Sequence, residues 1–137
     1  MKQISEYISN YTVFDLETTG LSVEHDEIIE VGAIKVRSHK MISSFSSLVK
    51  PAHCIPVEAS ECNHIVDDMV KNSPNIATAI EDFIKFVGND IVLGHNIAAF
   101  DLNFVRRDCI NYLGVDFVND YVDSLLVARA QLLPFRL

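Results

Sequence analysis

The segment Tyr11-Thr12-Val13-Phe14-Asp15-Leu16-Glu17-Thr18-Thr19-Gly20 runs an apolar strand directly into two carboxylates spaced by one residue. Residues i and i+2 of a strand point to the same face. Asp15 and Glu17 therefore project side by side from the end of what should be a buried strand. Like charges this close repel, and burying them is costly unless something positive sits between them. A divalent cation with oxygen ligands is the economical resolution.

The rest of the chain bounds this reading. Its 137 residues, 49% of them hydrophobic, suffice for one domain with a real core. No apolar run approaches the roughly 20 residues needed to cross a bilayer, and the polar stretch Met1 to Asn10 lacks the apolar centre of a secretory signal. Cys54, Cys62 and Cys109 are odd in number and show no C-x-x-C spacing, which favours reduced thiols in a cytoplasmic compartment. The net charge is −8, and only Arg106 and Arg107 form an adjacent basic pair. A chain of this charge is not built to track a long duplex. If it handles nucleic acid, it holds a short strand end with metal ions supplying the positive charge locally.

The pattern predicts strands over 11–16, 27–37, 41–50, 90–94 and 117–122. The short polar stretch Ser38-His39-Lys40 favours a hairpin between the second and third. Pro51 and Pro56 break up the region 51–72, with one short helix over 65–71. Ser73 and Pro74 supply a cap and first helical position, and Ile76, Ile80, Phe83, Ile84 and Val87 follow at helical spacing up to Gly88. A further helix covers 97–113. Asp123 or Ser124 caps a last helix that Pro134 limits. The order gives an α/β fold with a mixed five-stranded sheet. Its first three strands form an antiparallel meander, its last two run parallel to the first, and helices pack on both faces.

Gly94-His95-Asn96-Ile97-Ala98-Ala99-Phe100-Asp101 follows the fourth strand. On a helical wheel at about 100° per residue, Asp101 falls between Phe104 and Val105 on the apolar side, with Asn103 and Arg106 opposite. A carboxylate there needs a partner. The topology brings this helix start beside the end of the first strand, so Asp101 can complete a cluster with Asp15 and Glu17. An acid favoured by the helix dipole would explain Asp101 alone, but it leaves the pair on the strand unexplained.

With these residues in hand, the chain resembles the DEDDh 3′–5′ exonucleases of the ribonuclease H-like superfamily, the group of the bacterial DNA polymerase III proofreading subunit and domain. Phe14 to Leu21 is similar to the family's first motif, and Gly94-His95-Asn96 with Phe100-Asp101 to its second. Glu30 to Ala33, Leu48 to Pro51 and Asp123-Ser124-Leu125 resemble elements between and after them. The resemblance implies a site for two Mg²⁺ or Mn²⁺ ions about 3.5–4 Å apart, with Asp15, Glu17 and Asp101 as catalytic and metal-ligating residues. It implies release of nucleoside 5′-monophosphates from the 3′ end of single-stranded DNA, or RNA, in company with a DNA polymerase. Thr18, Thr19, Gly20 and Leu21 would sit against the terminal nucleotide. Glu58, Asn63 and Asn96 fall at further nucleotide-contact positions, Asn63 standing where the family has a histidine. His95 would orient the second-motif loop, and Asp123 would act structurally.

The family's third motif is a histidine followed five residues later by an aspartate on a final helix. No His follows His95 and no Asp follows Asp123. The expectation is thus a single exonuclease domain over 1–137, truncated at its C-terminus relative to the family. The two-ion site would be incomplete, turnover weak or absent, and an apolar sheet face near Val13 and Val122 would be left open to self-association. Two other readings compete. One is a non-catalytic module that binds nucleic acid or a polymerase. The other is a haloacid-dehalogenase-like phosphatase, suggested by the D-x-E-x-T run but opposed by the hairpin between strands two and three.

Overall fold

The computed structural model describes residues 1–132 of the chain, and side-chain surroundings up to residue 128. Five strands form one sheet: β1 (Tyr11–Thr18), β2 (Ile28–Arg37), β3 (Lys40–Leu48), β4 (Val92–Gly94) and β5 (Tyr121–Asp123). Their order is β3-β2-β1-β4-β5. β1, β2 and β3 pair antiparallel, while β4 runs parallel to β1 and β5 parallel to β4. This is the mixed sheet expected from the sequence. The hairpin between β2 and β3 turns on Ser38 and His39, both in the left-handed region at φ 49° and 65°. Positive φ at both central positions is the requirement of a two-residue I′ turn. Beyond β5, the backbone of Lys2 to Ile4 bonds to Tyr121 and extends the sheet by one bridge.

β1 alternates as an inner strand should. Thr12, Phe14 and Leu16 are buried, while Asp15 on the other face is exposed. Phe14, Leu16, Val31 and Ala33 pack under α3 (Ile76–Val87) and α4 (Asp101–Asp108), through Ile80, Phe83, Phe104 and Val105. A smaller cluster of Ile29, Ile55, Ile65 and Val70 joins the sheet to α1 (Val57–Asn63) and α2 (Asp67–Val70). The opposite sheet face is more open. Val13 and Ile34 line a shallow apolar hollow there with Gly32 and Ser44, and Ile34 is 38% exposed. α5 (Ser124–Leu132) follows β5. Pro134, expected to limit this helix, lies outside the described residues. Among the described residues no helix is long and apolar enough to cross a membrane.

Several element boundaries differ from the sequence expectation, each for a local reason. α3 starts at Ile76, not at Pro74. The Pro74 carbonyl accepts a hydrogen bond from the Lys50 N–H, which keeps Ser73-Pro74 beside the end of β3, and Asn75 caps the helix through the Thr78 amide. The helix expected over 97–113 begins only at Asp101, because residues 97–100 form a turn, and it opens into a π-helical turn at Cys109–Leu113. β5 is shorter than expected. Residues 117–120 leave the sheet so that Phe117 can enter the core and Asn119 can donate to the carbonyls of Gly88 and Asp90. α1 was not expected at all. It buries none of its side chains, so no apolar stripe marks it in the sequence.

Gly94, at the end of β4, positions the site. A Cβ there would lie 2.9 Å from the Phe14 carbonyl oxygen and overlap Ile97. Only glycine lets the second-motif loop come this close to the end of β1. Gly94→Ala should cost about 1–3 kcal/mol of stability through overpacking, read as a lower urea midpoint.

Candidate active site

β1 ends with Asp15 exposed and Glu17 half-buried on one face. α4 enters beside this end and sets Asp101 into the interior, 5% exposed. One oxygen of Asp101 accepts a hydrogen bond from the Leu16 backbone N–H at 3.2 Å. That bond spans 85 residues of sequence and fixes the third carboxylate to the strand that bears the other two. Burial and the charge of Asp15 push the Asp101 carboxyl up to about 7. Burial, then Asp15 and Glu30, raises Glu17 as well. The three carboxylates therefore share one electrostatic environment with an excess of negative charge. Among the described residues none of the three forms an ion pair with a Lys, Arg or His. Nor, among the described residues, do any three acidic, His or Cys side chains cluster closely enough to enclose a metal ion. The oxygen-only donor set and the uncompensated charge fit a hard divalent cation.

The loop leading to Asp101 is organised by Asp123, which is 1% exposed. Its carboxylate accepts from the amides of Asn96 and Ala98, both at 2.9 Å, and from those of Leu125 and Leu126 at the start of α5. Four backbone donors satisfy this charge without a cation, in contrast to the cluster at β1. Asn96 stands at φ 57°, a conformation Asn tolerates better than most residues. Its side chain is exposed. His95 is exposed and its Nδ1 lies 3.2 Å from the Ser124 hydroxyl, so it ties the loop to α5 through a side chain rather than through backbone.

Beside Glu17 a cavity of about 380 Å³ is lined by Leu16, Glu17, Thr18, Thr19, Gly20, Leu21, Glu58, Ala59, Cys62, Asn63 and Phe100. The fold thus brings Thr18 to Leu21 together with Glu58 and Asn63, and leaves Asn96 outside this lining. Asn63 is already engaged: its amide nitrogen donates to the Thr18 carbonyl at 3.3 Å and its amide oxygen accepts from the Ile65 N–H. It shapes the wall by holding the strand end. Sequence reasoning missed Leu16, Ala59, Cys62 and Phe100 as wall residues. Phe100 carried a signal, being the residue before Asp101. Ala59 and Cys62 carried none, because they lie on the unexpected α1.

The fold is ribonuclease H-like. It superposes on the crystal structure of E. coli Exonuclease I in complex with a dA16 oligonucleotide with a TM-score of 0.80 and 22% identity, over 93% of this chain and 30% of that one. Sequence comparison goes further. The family model described as "Exonuclease" matches residues 12–136. DNA polymerase III PolC-type of Clostridium perfringens is 39% identical over 87% of this chain and 8% of its own length. DNA polymerase III subunit epsilon of Treponema pallidum is 35% identical over 93% of this chain and 58% of its own length. The chain belongs to the exonuclease family. It spans a small part of the PolC-type relatives and little more than half of the epsilon subunit.

The raised Asp101 pKa gives a stability prediction. The folded chain holds this proton up to about pH 7, whereas the unfolded chain releases it near 3.8. Between those values the folded state binds more protons than the unfolded one, so stability falls as pH rises through that window. Asp101→Asn should flatten this loss and raise metal-free stability by about 1–3 kcal/mol at roughly pH 8. Urea denaturation at two pH values checks it.

Proposed function

We propose that this chain is a metal-dependent 3′–5′ exonuclease domain that releases nucleoside 5′-monophosphates from the 3′ end of single-stranded DNA. The observation that carries this reading is the adjacency of two features. Uncompensated carboxylates stand at the end of β1, and a nucleotide-sized cavity begins at Glu17 itself.

Asp15, Glu17 and Asp101 would hold divalent cations. Bound there, such ions supply positive charge against the scissile phosphodiester and activate water. The chain's own residues do the rest. The Thr18–Leu21 backbone forms the floor for the terminal nucleotide. Phe100 is the aromatic in the cavity lining on which a base can stack in a sequence-tolerant way, and Leu16 and Ala59 add apolar wall. Glu58 lies on the rim. The net charge of −8 suits capture of a strand end rather than a long duplex. A DNA substrate, a polymerase partner and a cytoplasmic setting find support in the relatives named DNA polymerase III PolC-type and subunit epsilon and in the dA16 oligonucleotide bound by the structural neighbour.

A second reading is a module that binds strand ends without cleaving them; it is favoured by the lack, among the described residues, of three acidic, His or Cys side chains clustered closely enough to hold a metal ion.

An assay with Mg²⁺ or Mn²⁺ on a 3′-tailed oligonucleotide decides between them. The exonuclease reading expects stepwise release of nucleoside monophosphates, abolished by Asp15→Ala. Manganese and DNA binding without any release would favour the module. Internal cleavage, or release untouched by Asp15→Ala, would sink the exonuclease reading.

A further inference from the structure

Arg107 stands six residues after Asp101 on α4 and is bonded on every side. Its Nε and Nη2 donate to the two oxygens of Asp108 at 3.0 and 3.1 Å. Its Nη1 donates to the carbonyls of Val23 and Asp26, both at 2.6 Å. The guanidinium lies over the Phe104 ring at 4.8 Å from its centroid. Among the described residues it is the only α4 side chain that hydrogen-bonds to the loop between β1 and β2.

That loop is a closed ring of bonds. The Asp26 carboxylate accepts from the Ser22 N–H at 2.8 Å and from the Thr19 hydroxyl at 3.2 Å. The Thr19 hydroxyl accepts from the Glu27 N–H, and the Thr19 N–H donates to the Glu27 carbonyl, both at 2.9 Å. Gly20 packs so closely on Asp26 that a Cβ there would lie 2.8 Å from Oδ1. The outer side of this ring is Thr18 to Leu21, the floor of the cavity beside Glu17.

We propose that Arg107 is a positioning residue for the 3′-terminal nucleotide: its guanidinium locks the nucleotide floor, through Val23 and Asp26, to the helix that carries Asp101. This assignment rests on the exonuclease reading above. α4 then fixes two things at once. Near its start, Asp101 is set against the strand through the Leu16 N–H. Near its end, Arg107 sets the floor. The distance from the held nucleotide to the carboxylates becomes a property of one rigid helix. Arginine is required because Arg107 makes four hydrogen bonds from three separate nitrogens, whereas an ammonium offers three donors on one nitrogen and cannot meet the carboxylate bidentately at the same time.

The test compares wild type, Arg107→Lys and Asp108→Asn. Binding of Mn²⁺, then of thymidine 5′-monophosphate in saturating Mn²⁺, is read by calorimetry. Amide exchange at Ser22, Asp26 and Glu27 is read by NMR. Arg107→Lys should bind Mn²⁺ within about twofold of wild type, weaken the nucleotide about tenfold, and speed exchange of those three amides about tenfold. Asp108→Asn keeps the two carbonyl bonds and should hold nucleotide affinity within about twofold. If Arg107→Lys does not fold, Arg107→Gln with Asp108→Asn removes both members of the buried pair and should show the same nucleotide loss. Unchanged nucleotide affinity without Arg107, or an equal loss in Asp108→Asn, would overturn the assignment. A wild-type chain that binds Mn²⁺ but no nucleotide would overturn the exonuclease reading itself, and this assignment with it.

Discussion

The structure turns on the crowding of carboxylates at the end of β1. An inner strand presents its side chains alternately, so Phe14 and Leu16 anchor it while Asp15 and Glu17 are left together on the other face. The Asp101 oxygen on the Leu16 amide then ties in a third charge from 85 residues away. Nothing cationic among the described residues answers these three. The rest of the fold reads as scaffolding that keeps them close despite their repulsion. Gly94 allows β4 and its loop to approach the Phe14 carbonyl, and Asp123 holds that loop by the amides of Asn96 and Ala98.

The two buried aspartates near the site show how environment assigns roles to one side-chain type. Asp123 is surrounded by four backbone donors and serves as a structural clamp. Asp101 has burial and neighbouring carboxylates working against its charge, which lifts its pKa toward neutrality. A group held in that condition is destabilising by itself and useful only when a cation joins it. Under the proposed function, that instability is the counterpart of a capacity to bind metal. The loop from Thr19 to Glu27 beside the site is held together for a different reason. Thr19, Ser22, Asp26 and Glu27 satisfy one another, and Arg107 fastens the assembly to α4.

The sequence by itself determined the antiparallel meander of the first three strands, the parallel sense of the last two, and the candidacy of Asp15, Glu17 and Asp101. The meander rests on the short polar link Ser38-His39-Lys40 and the order of elements; the three acids rest on local period, alternation of two along β1 and the helical spacing that puts Asp101 on the apolar side with Phe104 and Val105. The resemblance to the exonucleases, carried by the same two motifs, was confirmed by the family match. Tertiary structure decided what has no period. α1 buries no side chain and left no trace in the pattern, so Ala59 and Cys62 could not be foreseen as cavity walls. The start of α4 was displaced to Asp101 because residues 97–100 form a turn whose Ala98 amide is held by Asp123, 25 residues away. Asn63 was drawn onto the Thr18 carbonyl across 45 residues. Arg107 read only as half of a basic pair, since the carbonyls it binds lie more than 80 residues upstream. Long-range hydrogen bonds of this kind depend on which loops the sheet brings together, and no local spacing encodes them.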